Sequence, residues 1–265
     1  MGILESAFSA VPFTRRAARS ISDWIDLQWS YTTDDLRRVA PRAHGRLLDV
    51  GCGTKPYAEI FRPFVTEYVG VEHEASFSMT NAQTEQSPDV LYDGHTLPFP
   101  DESFDTVLNI QVLEHTPEPQ ALLTEMARVL KKRDGLLILS VPFCFRLHEE
   151  PHDYFRYTPH GIRTMCEVAG LEVTEMHAQG SLGSVVGHKL NAYLAFRVAR
   201  IQGVAQALGK LSHESTAGKS NGVRLWTLPF VVPTMGMISL AARAADRVMP
   251  DPTETLSFLA LVRRR

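Results

Sequence analysis

Between residues 46 and 180, short unbroken apolar runs alternate with longer stretches whose apolar positions recur every three or four residues. Unbroken runs bounded by Gly, Pro or Asp suit strands buried on both faces, and the intervening period suits the helices that cross between parallel strands. Strands are expected at Arg46–Val50, Glu67–Glu72, Asp89–Tyr92, Asp105–Ile110, Gly135–Val141 and Leu171–His177. The clearest helix is Pro117–Lys132, where Leu122, Leu123, Met126 and Leu130 share a face and Lys131 and Lys132 suit the negative end of the helix dipole. Another is expected from Thr158 as N-cap and Pro159 in the first turn to Gly170 as C-cap, with Ile162, Met165 and Val168 inward. A seventh apolar run, Leu256–Val262, follows only after Ser181–Pro252, which reads as a helical insertion with a Ser- and Gly-rich loop near His213–Gly222. Two amphipathic helices, Arg15–Gln28 and Thr33–Ala40, precede the first strand, and no segment repeats. The pattern divides the chain into N-terminal helices (1–43), an α/β core (44–180), a helical insertion or cap (181–253) and a final core strand (254–265).

The 265 residues carry 44% hydrophobic and 22% charged side chains, an ordinary globular balance large enough to bury a core without disulfides. Three widely spaced cysteines, Cys52, Cys144 and Cys166, form neither a disulfide framework nor a paired zinc motif, which points to a reducing, cytoplasmic compartment. The formal charge of −3 hides an asymmetry. Pro63–Ala127 has twelve carboxylates and no Lys or Arg, whereas from Leu182 onward eleven basic residues face four acidic ones. An acidic front half argues against a duplex nucleic-acid footprint, and the basic, apolar tail leaves room for an anionic partner. The start, Met1-Gly2-Ile3-Leu4-Glu5-Ser6, shows no cleavable signal peptide, and its fit to a myristoylation pattern is no better than chance.

Chemistry enters after the first strand. In Leu47-Leu48-Asp49-Val50-Gly51-Cys52-Gly53-Thr54-Lys55-Pro56-Tyr57, a strand runs through a glycine turn into a helix, letting a ligand approach the backbone and free N–H groups. Glu72, 21 residues after Gly51 at the end of the next strand, is spaced to receive a ribose hydroxyl pair. The third glycine that a dinucleotide's pyrophosphate requires is replaced by Pro56, so the turn suits a nucleoside without phosphates. A tight turn with no ligand is the plain alternative.

The strings LLDVGCGTKPY, YVGVE, LPFPDESFDTVLNIQVLEH and EMARVLKKRDGLLILSVPF, in that order, resemble the class I S-adenosylmethionine-dependent methyltransferases, especially the small-molecule group that includes quinone-biosynthesis enzymes. The resemblance covers about residues 46–180 and the final strand, departing from the family where Lys55 replaces a frequent glycine. It implies a Rossmann-like, seven-stranded sheet with helices on both faces, the last strand antiparallel between the fifth and sixth, and a helical insertion between strands six and seven. It also implies S-adenosylmethionine as cofactor. Asp49, Gly51, Cys52 and Gly53 would hold its methionine end, Glu72 with His73 the ribose, Asp93 with Gly94 the adenine, and Gln111 and Val112 the wall near the sulfonium. For Asp93 the plain reading is a surface turn residue.

Methyl transfer is an in-line displacement with a neutral thioether leaving, and no metal is obligatory. A hydroxyl acceptor benefits from a general base, for which histidine is suited. His115 follows the fourth strand, with capping of the next helix as its plain alternative. The run Leu147–Thr158 supplies His152 as base and Asp153 as its orienting carboxylate, with His148, Tyr154, Arg156 and Tyr157 expected to meet the acceptor. "HDYFRYT" runs recur in relatives found with carbohydrate- or lipid-modifying proteins; the alternative is that Asp153 and Arg156 pair and merely fix the loop. A metal site on His148, Glu149, His152 and Asp153 is rejected, because Pro151 breaks the helix that would align them.

Leu225–Ala242 holds 18 residues without a charge, interrupted by Pro229, Pro233 and Gly236. A helical cap with an apolar face over the cleft is preferred to a membrane span, and peripheral membrane contact through 225–247 is kept open. Base methylation of nucleic acid is disfavoured, since Asn109-Ile110-Gln111-Val112 lacks the Pro-Pro-aromatic grip for a flipped base. The expectation is therefore a methyltransferase acting at oxygen on a small or lipid- or carbohydrate-linked acceptor. The rivals are carbon methylation of a quinone-like ring and a non-catalytic S-adenosylmethionine-binding module that recruits a partner or membrane.

Overall fold

The computed structural model describes residues 20–76, 87–199, 225–251 and 253–265. The expected Ser- and Gly-rich loop at His213–Gly222 lies outside them, as does the start of the first predicted helix. Seven strands, β1 (Arg46–Val50), β2 (Glu67–His73), β3 (Val90–Tyr92), β4 (Thr106–Ile110), β5 (Leu136–Pro142), β6 (Leu171–Gln179) and β7 (Ser257–Arg264), form one sheet in the order 3-2-1-4-5-7-6. Strands β1 to β5 pair in parallel. β7 runs antiparallel to β5, from Leu136 opposite Arg263 to Pro142 opposite Ser257. The resemblance implied this arrangement. The order reverses between β1 and β4, and ligands of open α/β sheets sit at the carboxyl ends of strands beside such a switch.

The helices are α1 (Leu27–Val39), α2 (Ala58–Phe61), α3 (Pro119–Val129), α4 (Pro159–Val168), α5 (Leu182–Tyr193) and α6 (Leu228–Val248). β4 and β5 are buried along their whole length, which is why they read as continuous apolar runs. On one sheet face Val50, Val107, Leu137 and Ala260 join Leu122, Leu123 and Met126 of α3 and Ile162 and Cys166 of α4. On the other, Leu47, Leu108, Ile138 and Leu259 join Leu36 and Val39 of α1 and Phe61 of α2.

Two expectations are corrected. The break between the N-terminal helices falls at Asp26, not between Gln28 and Thr33, because the Asp26 side chain caps α1 by accepting the Trp29 N–H at 3.1 Å. The inner face of α4 is Ile162 and Cys166, whereas Val168 is 70% exposed. Steps of three residues fall 60° short of a full turn, so by Val168 the predicted stripe has rotated off the core. The ends of α4 are as expected: Thr158 Oγ1 accepts the Gly161 N–H at 3.1 Å, and Gly170 turns left-handed at φ +73°.

The described chain forms two compact units. One holds residues 32–145, 151–178 and 257–265, and with them the sheet; the other holds residues up to 31, 146–150 and 179–256.

Candidate active site

The sheet unit gathers its polar side chains at the carboxyl ends of β1, β2, β3 and β4. At the β1 turn, Gly51 and Gly53 have φ of +74° and +51°, a region open to glycine at no steric cost. A Cβ on Gly51 would lie 2.5 Å from a methyl group of Val112, so the wall after β4 rests directly on the turn. A Cβ on Gly53 would meet nothing within 4 Å, so the turn is open to a ligand on that side. Glu72, at the end of β2, reaches over: its Oε2 accepts the Gly53 N–H at 2.7 Å and its Oε1 accepts the His73 N–H at 2.9 Å. The His73 ring in turn packs on Gly94, where a Cβ would lie 2.6 Å from the imidazole.

Asp49 is buried and accepts a short hydrogen bond from the Tyr68 hydroxyl. Burial pushes its carboxyl up to about 7; the Tyr68 hydrogen bond opposes the shift, and the Glu72 charge adds to it. Cys52 also sits in this turn, but its thiol packs against Gly70 and donates to the Gly53 carbonyl at 3.7 Å, and burial pushes its pKa far up. Asp93 forms a surface turn, accepting the N–H groups of His95 at 2.9 Å and Thr96 at 3.4 Å, and those bonds hold its carboxyl below the usual range. Gln111 adopts a left-handed φ of +57°, and its amide donates to Ser140 Oγ at 3.0 Å and lies 3.5 Å from Ser257 Oγ.

The candidate bases meet each other. The strap after residue 151 lies along the turn after β4, where the Glu114 carbonyl accepts the N–H groups of Tyr154 and Phe155 at 2.9 and 3.3 Å. His115 Nδ1 is 2.8 Å from the His152 carbonyl, an acceptor only, so that nitrogen carries a proton, and Nε2 lies 3.7 Å from the buried Glu114 carboxylate. His152 Nδ1 faces the Tyr154 hydroxyl at 3.1 Å.

Elsewhere on the strap the geometry redraws the sequence reading. Asp153 receives the Arg156 guanidinium at 2.6 and 2.8 Å, the pairing held as the alternative to a base-orienting role. Tyr157, expected to meet the acceptor, is instead buried in the core with its hydroxyl on the Leu113 carbonyl at 3.0 Å. Along the strap Tyr154 and Phe155 are exposed and Tyr157 is buried. His148 belongs to the other compact unit, buried, with Nδ1 3.3 Å from the Arg146 carbonyl.

The sequence reading missed Tyr68 and the pair formed by Lys55 and Asp89. Tyr68 stands beside Leu47, and Gly70 beside Asp49, so the Tyr68 hydroxyl reaches Asp49 diagonally, while Lys55 and Cys52 fill the space over Gly70. This became visible only once the register was known. Lys55 has φ +53°, is buried, and places Nζ 2.7 Å from Asp89. Asp89 also accepts the Gly70 N–H at 2.7 Å.

An open glycine turn bounded by two carboxylates suits a cofactor with a cationic sulfur and a free amino group. Residues 48–139 match the family described as "Methyltransferase domain". It is similar to "Ubiquinone biosynthesis O-methyltransferase" from Ruegeria, 33% identical over 50% of this chain and 53% of the relative. It is also similar to an uncharacterized methyltransferase from Mycobacterium tuberculosis, 40% identical over 48% of this chain and 49% of the relative. The chain thus spans about half the length of these curated relatives. Among solved structures, the [4+2]-cyclase SpnF shares the fold with a TM-score of 0.53 at 19% identity, covering 88% of this chain and 79% of the cyclase.

Proposed function

We propose that the protein transfers a methyl group from S-adenosylmethionine to a hydroxyl of a small or lipid- or carbohydrate-linked acceptor. The observation that carries this reading is the Glu72 carboxylate folded onto the Gly53 N–H beside the open glycine turn. The O-methyltransferase among the relatives favours oxygen over a quinone ring carbon. Residues 44–180 and 254–265 would form the cofactor-binding core, with 181–253 a helical insertion, in a cytoplasmic protein that meets a membrane through 225–247.

In this reading Glu72 and His73 hold the ribose, Asp49 and the 51–53 backbone the amino-acid end, Asp93 and Gly94 the adenine, and Val112 with the Gln111 backbone the reacting end. The cofactor, when bound, supplies a methyl group made electrophilic by a cationic sulfur. His115, its Nδ1 proton committed to the His152 carbonyl, offers Nε2 to take the acceptor's hydroxyl proton. Arg156 is engaged by Asp153 and shapes the strap; Tyr154 and His152, both exposed, are the groups there that an acceptor can touch.

A non-catalytic reading stands as the rival, since a fold does not dictate a reaction. Cofactor titration beside a methyl-transfer assay on phenolic, sugar and prenyl-linked acceptors separates the two. Glu72→Ala should weaken cofactor binding by about 1–3 kcal/mol, the cost of stripping a charged acceptor from hydroxyl donors. His115→Gln should lower turnover about a hundredfold or more while leaving cofactor affinity within about twofold. Cofactor binding without turnover on any acceptor would move the protein to the non-catalytic class.

A further inference from the structure

The helices α5 and α6 are built inside out for a pair in water. Where they meet, the residues are small or polar: a Cβ on Gly187 would lie 2.7 Å from that of Ala242, a Cβ on Gly183 2.7 Å from the Ala242 carbonyl, and Asn191 Nδ2 donates to Ser239 Oγ at 2.8 Å. Val185 and Val231 are buried and Ile238 lies near Gly187, but the larger apolar side chains point outward. Along α6 and the turn before it, Trp226 is 72% exposed, Phe230 73%, Met237 65%, Leu240 61% and Val248 77%. Their spacing of three, four, seven and eight residues keeps them on one stripe, and the exposed positions between them are Pro229, Pro233, Ala241, Ala244 and Arg247. No carboxylate interrupts it. Small residues at helix contacts, polar groups joining helices and large apolar groups outside describe helices solvated by lipid.

The opposite flank is polar. Arg243 donates to the Trp24 carbonyl at 2.7 Å and to Ser30 Oγ at 3.0 Å, and Asp246 accepts the Tyr31 hydroxyl at 2.8 Å. By length and composition α6 could cross a bilayer, but one apolar stripe backed by a polar flank is the pattern of a helix lying in the interfacial plane. The segment's charge selects the lipid. Between residues 182 and 251, Lys189, Arg197, Arg200, Lys210, Lys219, Arg224, Arg243 and Arg247 outnumber Glu214, Asp246 and Asp251. That excess is complementary to anionic headgroups and repels a second copy carrying the same excess.

We infer that the Trp226–Val248 stripe is a monotopic docking face for an anionic bilayer, with α6 parallel to the membrane and Trp226 and Phe230 inserted below the headgroups. This rests on the membrane contact proposed above and adds the face, its orientation and the lipid charge.

The full chain is mixed with vesicles of phosphatidylcholine alone and with 30% phosphatidylglycerol, and partitioning, Trp226 quenching by brominated acyl chains (against Trp226→Phe) and cofactor affinity are measured together. Partitioning should rise about tenfold or more with the anionic lipid and fall by at least about tenfold in Phe230→Ser/Met237→Ser. Quenching should require Trp226, and cofactor affinity should be unchanged. Absence of vesicle binding by the wild-type chain would overturn both the inference and the membrane contact it rests on. Equal binding by the double variant would overturn the face while leaving membrane contact standing. A concentration-dependent dimer that the double variant abolishes, with no lipid binding, would assign the stripe to a second copy instead. Methyl transfer is scored separately, so its absence counts against the enzyme reading and not against the docking face.

Discussion

Asp49 combines two demands that conflict. A buried carboxylate at the head of a cofactor site is useful when it is charged and a cation arrives, yet its own charge lies in a poor dielectric that the Tyr68 hydrogen bond and the Lys55 charge only partly offset. Its pKa of about 7 stands well above the ordinary aspartate value, so the native state keeps a proton that the unfolded chain has released near pH 4. Stability from this group is full below about pH 4 and is lost as the pH rises through about 7. Asp49→Asn removes the ionisation and keeps an acceptor for Tyr68. The cofactor-free variant should melt at a higher temperature than wild type at pH 8 and at nearly the same temperature at pH 4, while binding the cofactor more weakly at pH 8. A variant that melts lower at pH 8 would show that the carboxylate is not under strain. The type of residue was readable in the motif after β1, but its pKa was not, because Tyr68 comes from a neighbouring strand.

The turn between β1 and α2 shows how an element can be rebuilt around an unfamiliar residue. Lys55 stands where relatives often have glycine, and it keeps the left-handed backbone, at φ +53°, that glycine would adopt without cost. Its buried ammonium is held by Asp89, which also satisfies the Gly70 N–H. The turn after β1 is thus tied to the approach to β3 across β2. Removing the whole cation costs less than stranding it. Asp89→Ala, which leaves both the ammonium and an N–H without their acceptor, should destabilise the protein by about 2 kcal/mol or more in chemical denaturation. Lys55→Gly, which removes the charge and relieves the backbone, should cost less than half as much; a larger loss for Lys55→Gly would refute this account of the turn. From sequence Lys55 was visible as a departure from the family, but its partner was not, since 34 residues separate them. Strand ends and helix caps were legible because apolar runs, Thr158, Pro159 and Gly170 act locally. Val168 and Tyr157 were misplaced because exposure depends on rotation about an element and on what lies beneath it.

At the scale of the whole molecule, the least local feature is β7. Leu256–Val262 reads as a strand with no neighbour in sequence, and only the family resemblance gave it a place in the sheet. In the structure it bonds to β5 along seven residue pairs, and Thr174 of β6 donates to its Leu261 carbonyl at 3.0 Å. β5 is buried over its whole length, so without β7 its outer row of N–H and C=O groups would have no partner inside an apolar core. β7 also supplies Ser257, which lies 3.5 Å from the Gln111 amide and helps hold the left-handed residue after β4. A chain ended after Thr255 loses no residue assigned to the cofactor, yet it should lose both its cooperative thermal transition and its cofactor binding. Ser257→Ala, which removes only the contact to Gln111, should retain both within about 1 kcal/mol. If the shortened chain still melted cooperatively and bound the cofactor, the five parallel strands would be a self-sufficient sheet and β7 an accessory edge. Loss in the shortened chain together with retention in Ser257→Ala assigns β7 the role of closing the sheet that the site is built on.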